Sequence, residues 1–416
     1  MSRIAEQYRP LALRAANFLG RTLATRPLTA DSLMRAAAHR AQSDDFGTGF
    51  EIGLARLLDA LNREACLNLV GWLSARIYLV RLLTNRARLE ADRRRHPEIE
   101  SARVRAPLVI TGLPRTGSTL LFELLAQDPR LRAPITWEVM LPSPPPRAAT
   151  FHQDRRIRRT QCMLNHVDRI APRFKAIHPV GATLPQECIA ITAHAFQSIL
   201  FHTTHDVASY QEWLNEQPLH GAYGYHRRFL QQLQAFGPKG RWLLKAPGHL
   251  FGLDALFAVY PDASVIVTCR DSAAVAGSVA SHCASLRQAF SEQLNLHAIG
   301  RSWTDLWGLG WRRQASFRRR RPELDGRLLD VAYDELIADP MAQVAHIYRH
   351  FDIELGDDAR QRMMAYLAAH PRHAHGRHKY CLEAFDLTES YVRAQFADTN
   401  RAPSGVAESL AAPVLG

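Results

Sequence analysis

The sequence predicts an α/β protein in which a parallel sheet is flanked by helices, with a helical N-terminal module and a helical insertion added to it. Short apolar runs recur, each passing through a turn into a helix-length stretch: PLVITG into STLLFELLAQ, RWLLKA into HLFGLDALFAVY, SVIVTC into SAAVAGSVASHCASL, and GRLLDVAY into MAQVAHIYRHF. Continuous apolar strands that alternate with helices belong to sheets covered on both faces, and such sheets are parallel. The second observation is a change of grain near residue 100, upstream of which the pattern is helical.

Taken in order, residues 1–100 form the helical module. LTADSLMRAAAHRA opens on Thr29 and Asp31, a capping-type start, and GFEIGLARLLDALNREACLNLVGWLSARIYLVRLL carries apolar residues at helical spacing. RRRHPEIESARVRAP breaks the pattern with charge and prolines and marks the boundary. The α/β domain then spans 105–395, and within it 138–240 is a mostly helical insertion containing LPSPPPR and the predicted helix PQECIAITAHAFQSIL. Insertions at the ligand edge of such a sheet carry substrate specificity, which is the role expected for this one. Residues 396–416 read as a flexible tail.

Composition narrows the class. At 416 residues, 47% hydrophobic and 22% charged, the chain is globular and long enough to bury a core. Its longest apolar runs, such as Leu108–Gly112 and Ser264–Cys269, are strand-length and far short of the ~20 residues of a membrane span. MSRIAEQYRPLALRAANFLGR scatters Arg among its apolar residues, unlike a secretory signal, so a cytoplasmic location is expected. The cysteines, Cys66, Cys162, Cys188, Cys269, Cys283 and Cys381, form no C-x-x-C pair, which points to reduced thiols rather than a zinc or disulfide framework. A net charge of +12 favours anionic partners. The run Arg318, Arg319, Arg320, Arg321 reads as the solvated end of a helix.

The strongest local signal is Gly112-Leu113-Pro114-Arg115-Thr116-Gly117-Ser118-Thr119, set between an apolar strand and an amphipathic helix. In that context backbone N–H groups and a helix N-terminus cradle an anion, which makes the sheet P-loop-type. Gly112 and Gly117 permit the tight turn, and Ser118 and Thr119 add hydroxyl donors. Against the nucleotide-hydrolase pattern G-x-x-x-x-G-K-[ST], Ser118 fills the Lys position and the cation sits inside the loop as Arg115. A kinase-like phosphotransferase would need that Lys with Mg²⁺ nearby. A non-catalytic binder of RNA or another polyanion would show basic clusters interleaved with aromatics.

These residues resemble the PAPS-dependent sulfotransferase superfamily, in particular the bacterial sulfotransferases allied to the tyrosylprotein and carbohydrate enzymes. The resemblance implies 3'-phosphoadenosine 5'-phosphosulfate (PAPS) as donor, adenosine 3',5'-bisphosphate as product, and no metal. LPRTGSTLL matches the family's 5'-phosphosulfate loop, which gives Pro114, Arg115, Thr116, Gly117, Ser118 and Thr119 donor-binding roles. Arg270, after a strand, and Ser278, eight residues on, match its 3'-phosphate site, and a helix dipole would assist there. WLLKAPGHL matches a segment whose Lys, here Lys245, approaches the transferred group. VAYDELIADP and HPRHAHGRHKYCLEAF resemble the adenine-side Tyr, here Tyr333, and a closing loop with Arg377, His378 and Lys379. Four histidines there, His370, His373, His375 and His378, lack a cysteine or carboxylate at ligand spacing and read as part of a basic anion-binding loop.

Sulfuryl transfer is an in-line displacement through a loose transition state, so positioning and charge neutralisation dominate. Arg115 and Lys245 are the expected stabilising cations. The acceptor, a small molecule, carbohydrate or lipid-like compound with a hydroxyl or amine, must lose a proton. Glu138, in ITWEVMLP, lies 23 residues after Arg115, close to the catalytic Glu of the tyrosylprotein-type enzymes; Glu187, in TLPQECIAI, is the second choice. His178 and His194 stay open as bases, since cytosolic family members use a His. No nucleic-acid partner is expected, and a homo-oligomer is left open.

Overall fold

The structure, a computed structural model, describes residues 26–170, 181–370 and 382–397, with positions 15, 17, 18, 20 and 22 ahead of them. Arg377, His378, Lys379, His178 and the tail therefore lie outside the described residues. In chain order, the elements that matter are helices α1 (Ala30–Ala41), α2 (Glu51–Arg63) and α3 (Leu69–Arg95), strand β1 (Leu108–Gly112), α4 (Ser118–Leu125), β2 (Leu131–Arg132) and α5 (Thr136–Met140). After them come α6 (Cys188–Thr192), α7 (His220–Gln234), β3 (Arg241–Lys245), β4 (Ser264–Cys269), α8 (Ser272–Phe290), α9 (Leu296–Arg320), β5 (Leu328–Ala332) and α10 (Tyr333–Ala338).

The five strands form one parallel sheet in the order β2-β3-β1-β4-β5. Every residue of β1 and β4 is buried, as continuous apolar strands covered on both faces require. β1 lies in the middle, with Ile110 beside Lys245 of β3 and Gly112 beside Thr268 of β4. Because the strands are parallel, their carboxyl ends share one edge. The chain builds one side of β1 with β2 and β3, then changes side to add β4 and β5, and ligands of open α/β sheets bind where the order reverses. Leu108, Ile110, Leu121, Phe122, Leu243 and Ile266 are at the heart of the core beneath this edge.

The chain divides into two compact units. Of the described residues, those within 105–134, 240–281 and 296–397 form the sheet unit, and those within 26–104, 135–239 and 282–295 the helical unit. The N-terminal helices and the insertion, read separately in the sequence, thus belong to one unit and share one core, in which Leu54, Leu57, Leu79 and Leu83 pack with Phe196, Phe201, Val207 and Tyr210. α3 starts at Asn68, whose side chain accepts from the Gly71 N–H at 2.8 Å, and ends on Arg93, Arg94 and Arg95, the charges that suit a helix C-terminus. Gly71 has no alternative: a Cβ there would lie 2.0 Å from the Phe290 carbonyl oxygen. Thr29 caps α1 as expected, accepting from the Ser32 N–H.

Details of the sequence reading change. PQECIAITAHAFQSIL is not one helix: α6 passes into a 3₁₀ turn that ends at Phe196 with φ 55°, and a new helix, Leu200–Thr204, follows. HLFGLDALFAVY likewise splits into a 3₁₀ turn and the helix Leu253–Val259. The arginine run does end α9, but it is paired rather than simply solvated. Arg318 makes a two-pronged ion pair with Asp330 of β5 at 2.6 and 2.7 Å, and Arg320 bonds Asp254 at 2.6 Å. β2, only two residues long, left no apolar run to read. No described helix is long and apolar enough to cross a membrane.

Candidate functional site

The site is built on the carboxyl edge of the sheet unit. β1 runs directly into the turn 113–117 and then α4, so the chain reverses where the central strand ends. Gly112 takes φ +130°, and a Cβ at that position would stand 2.1 Å from the Thr268 carbonyl oxygen; the backbones of β1 and β4 approach too closely for any side chain. Arg115 takes a left-handed φ of 65° and Gly117, the N-cap of α4, takes 78°. Gly117 supplies no capping side chain and the first turn of α4 holds no acidic residue, which leaves main-chain N–H groups and the positive end of the dipole for an anion.

A hydroxyl chain fixes the turn. Thr116 and Thr268, both fully buried, are hydrogen-bonded through their Oγ1 atoms at 2.6 Å. Thr116 Oγ1 also lies 2.6 Å from the Leu113 carbonyl, and Thr268 Oγ1 donates to the Thr111 carbonyl at 3.1 Å. The hydroxyl of Thr116 is therefore turned inward and holds the loop's shape, and only its main chain faces the role expected for it. Thr268 was not singled out in the sequence, because a threonine at the end of an apolar strand carries no signal of its own.

Cations gather around this turn. Arg115, exposed, extends its Nε to Ser278 Oγ of α8 at 3.2 Å. Arg270, at the end of β4, donates from Nη1 to the Arg115 carbonyl at 3.2 Å and lies over the Tyr333 ring at 4.0 Å. The Tyr333 ring in turn stands 3.3 Å from where a Cβ on Gly117 would be, so the N-cap, Tyr333 and Arg270 are contiguous. On the other side, Lys245 Nζ, buried at the end of β3, is 3.4 Å from Thr119 Oγ1. Pro114, Arg115, Gly117, Ser118, Thr119, Lys245, Arg270, Ser278 and Tyr333 are thus brought to one edge from separate stretches of sequence.

Other groups are excluded by their surroundings. Burial, then the charge of Asp330, pushes the Cys269 thiol up to about 12, which keeps it a neutral core residue rather than a nucleophile. The five described cysteines are free thiols. Asp271 caps α8 by accepting from the Ala274 N–H at 2.9 Å. Among the described residues no three His, Cys, Asp or Glu side chains cluster as metal ligands; His373, His375 and His378 lie outside them.

A family model for the sulfotransferase family matches residues 107–357, the stretch that contains β1 through β5 and the whole edge just described. The chain belongs to the sulfotransferase family. This sulfotransferase is 32% identical to sulfotransferase STF1 from Mycobacterium tuberculosis H37Rv, whose crystal structure matches with a TM-score of 0.79 over 89% of this chain and 99% of that one. Sulfotransferase STF9 from Mycobacterium avium matches with a TM-score of 0.79 and 28% identity, over 89% of this chain and 95% of its own. Over 283 residues, 64% of this chain and 67% of the relative, the sulfotransferase is 26% identical to the omega-hydroxy-beta-dihydromenaquinone-9 sulfotransferase Stf3 of Mycobacterium bovis.

The candidate bases of the sulfotransferase lie in the helical unit. Glu138, fully buried on α5, accepts from the N–H of the N-cap residue Ile135 through Oε1 at 3.0 Å; Ile135 has no side-chain acceptor to return the bond. Glu187 is half-buried immediately before α6. Their segments are joined: Ile135 bridges Pro185, and the Thr136 and Trp137 N–H groups donate to the Leu184 and Ala182 carbonyls at 3.0 and 2.9 Å. His194 does not suit the role. It sits in the core, bonded to Asn85 at 3.0 Å, and burial lowers its pKa to about 3.

Proposed function

We propose that this sulfotransferase takes its sulfuryl group from PAPS and passes it to a hydroxyl or amine of a small-molecule, carbohydrate or lipid-like acceptor. The observation that carries the reading is the convergence of an uncapped helix N-terminus with Arg115, Lys245 and Arg270 on one sheet edge. A donor with a doubly anionic 5' group and a separate 3'-phosphate needs two anion sites beside an aromatic face. The loop with Lys245 fits the first site, Arg270 with Ser278 the second, and the ring of Tyr333 the base.

PAPS would supply the sulfuryl group, with adenosine 3',5'-bisphosphate as the departing product. The protein's residues then have defined tasks. The N–H groups of the turn and Arg115 hold the oxygens that gain charge, each such donor contributing about 3 kcal/mol in a dry site. Lys245 stands at the Thr119 hydroxyl, where its ammonium neutralises charge at the group in transit. Glu138 is the proposed base: the Ile135 N–H fixes its carboxylate, and a positioned carboxylate that takes the acceptor's proton contributes about 10²- to 10⁴-fold. Glu187 is the alternative. The omega-hydroxy substrate in the name of the Mycobacterium bovis relative favours a hydroxyl as the accepting group.

A thermal-shift comparison tests the donor. Adenosine 3',5'-bisphosphate without metal is expected to raise the melting temperature, and ATP with Mg²⁺ is not. Stabilisation by ATP and Mg²⁺ alone would replace this reading with a kinase-like one.

A further inference from the structure

The buried arginines described in the helical unit, Arg86, Arg93 and Arg287, are all hydrogen-bonded. Arg86 on α3 donates to the carbonyls of Phe46, His194 and Thr48, Arg93 to the Arg228 carbonyl and Gln231, and Arg287 to Asp206 and the His202 carbonyl. Arg81 on α3 is half-buried and makes no hydrogen bond or ion pair among the described residues; its guanidinium lies 5.1 Å from the centre of the Tyr78 ring. The hydroxyl of Tyr78 is likewise without a hydrogen-bond partner among the described residues.

Both side chains keep accessible surface, yet loss of water dominates their protonation. Burial lowers the Arg81 pKa and pushes that of Tyr78 up to about 12. Each side chain is half-buried, so a guanidinium and a phenol that have lost part of their water can still be reached from solvent. A guanidinium has five donors, and withdrawing them from water without acceptors is costly. A ligand oxyanion would remove that cost.

The surroundings describe the remainder of the ligand. Leu73, Ile77 and Arg81 follow one another at helical i, i+4 spacing, and Leu73 and Ile77 are 42% and 57% exposed, unusual for such side chains. On its inner side the Tyr78 ring rests near that of Phe201, a buried core residue, with ring centres 6.1 Å apart. An apolar strip thus leads along α3 to a phenol and an uncompensated cation.

We propose that Tyr78 and Arg81 recognise an acceptor that carries an oxyanion, such as a carboxylate, on an apolar body, in addition to the group that receives the sulfuryl. This assignment rests on the sulfotransferase reading for its biological meaning, but the binding itself is measurable alone. Octanoate and octanol serve as probes in titration calorimetry of the full chain, with adenosine 3',5'-bisphosphate as a separate arm. Octanoate is expected to bind at least about ten times more tightly than octanol, the size of a charge-assisted hydrogen bond in a desolvated site. Arg81→Gln should abolish the preference, Arg81→Lys should retain part of it, and Tyr78→Phe should reduce it several-fold. Equal affinity for the two probes, binding of neither, or a preference untouched in Arg81→Gln would overturn the proposal. Loss of the bisphosphate arm in the unaltered protein would instead count against the donor assignment.

Discussion

Arg115 and Ser278, 163 residues apart in the chain, are hydrogen-bonded, the guanidinium Nε donating to the hydroxyl Oγ at 3.2 Å. The contact joins the turn after the first strand to the helix after the fourth, so on the proposed reading a phosphate there would meet both groups already in position. Arg270 completes the arrangement by bonding the Arg115 carbonyl from beneath.

Removing Arg270 should therefore weaken the donor product more than removing Ser278. Arg270→Ala loses a charged donor and the cover over Tyr333, and its affinity for adenosine 3',5'-bisphosphate is expected to fall at least about tenfold; Ser278→Ala should lose less. Calorimetric titration compares them, and unchanged affinity in Arg270→Ala would remove the guanidinium from the donor site.

Thr268→Val tests the hydroxyl chain. The isosteric methyl leaves the buried Thr116 Oγ1 without one partner and deprives the Thr111 carbonyl of another, a loss of about 1–3 kcal/mol. A lower melting temperature with weaker bisphosphate binding is expected. A drop in stability with donor affinity intact would mean that the chain supports the sheet and not the turn.

Glu138→Gln should separate folding from catalysis. The amide oxygen of glutamine still accepts the Ile135 N–H, so the cap at α5 survives while the proton acceptor is gone. Donor binding is expected to persist and turnover, followed as bisphosphate release with an accepted acceptor, to fall by about 10²-fold or more. Full activity would transfer the role to Glu187.

The helical unit should be acid-sensitive. Burial depresses the pKa of His194 to about 3 and of His205 to about 4, and the His202 pKa is lowered as well. The unfolded chain binds protons that the folded one refuses, so the stability these rings confer is complete above the ordinary histidine value of 6.5 and drains away as pH falls toward 4. Each contributes about 1.4 kcal/mol per pH unit to that slope. Melting temperatures between pH 7 and 4.5 should fall steeply, and less so in His194→Gln; equal slopes would show that the ring does not limit acid stability.

Much of the sheet was legible because buried parallel strands write themselves as apolar runs, and the turn at Gly112–Thr119 because its glycines and arginine stand between a strand and a helix. The spacing of Arg270 and Ser278, with the resemblance, suggested one anion site; in the structure each bonds Arg115, Ser278 through its hydroxyl and Arg270 at the carbonyl. What the sequence could not disclose depends on contacts distant along the chain. Thr268 matters only because the 2.6 Å bond to Thr116 exists. The partnerships of Arg318 with Asp330 and Arg320 with Asp254 are equally invisible in a run of four basic letters. Nor does helical periodicity reveal that the N-terminal module and the insertion share a core, since either could have covered its apolar face alone.

If the turn takes the donor as proposed, the threonine hydroxyls that tie it to the neighbouring strand also bear on how fast and how firmly that nucleotide is taken up. A cradle whose peptide groups are already aimed loses little conformational entropy when its guest arrives, so more of the contact energy survives as affinity. Capture should then resemble a key entering a cut lock rather than a hand closing, and structures solved with and without adenosine 3',5'-bisphosphate should superpose along residues 112–119.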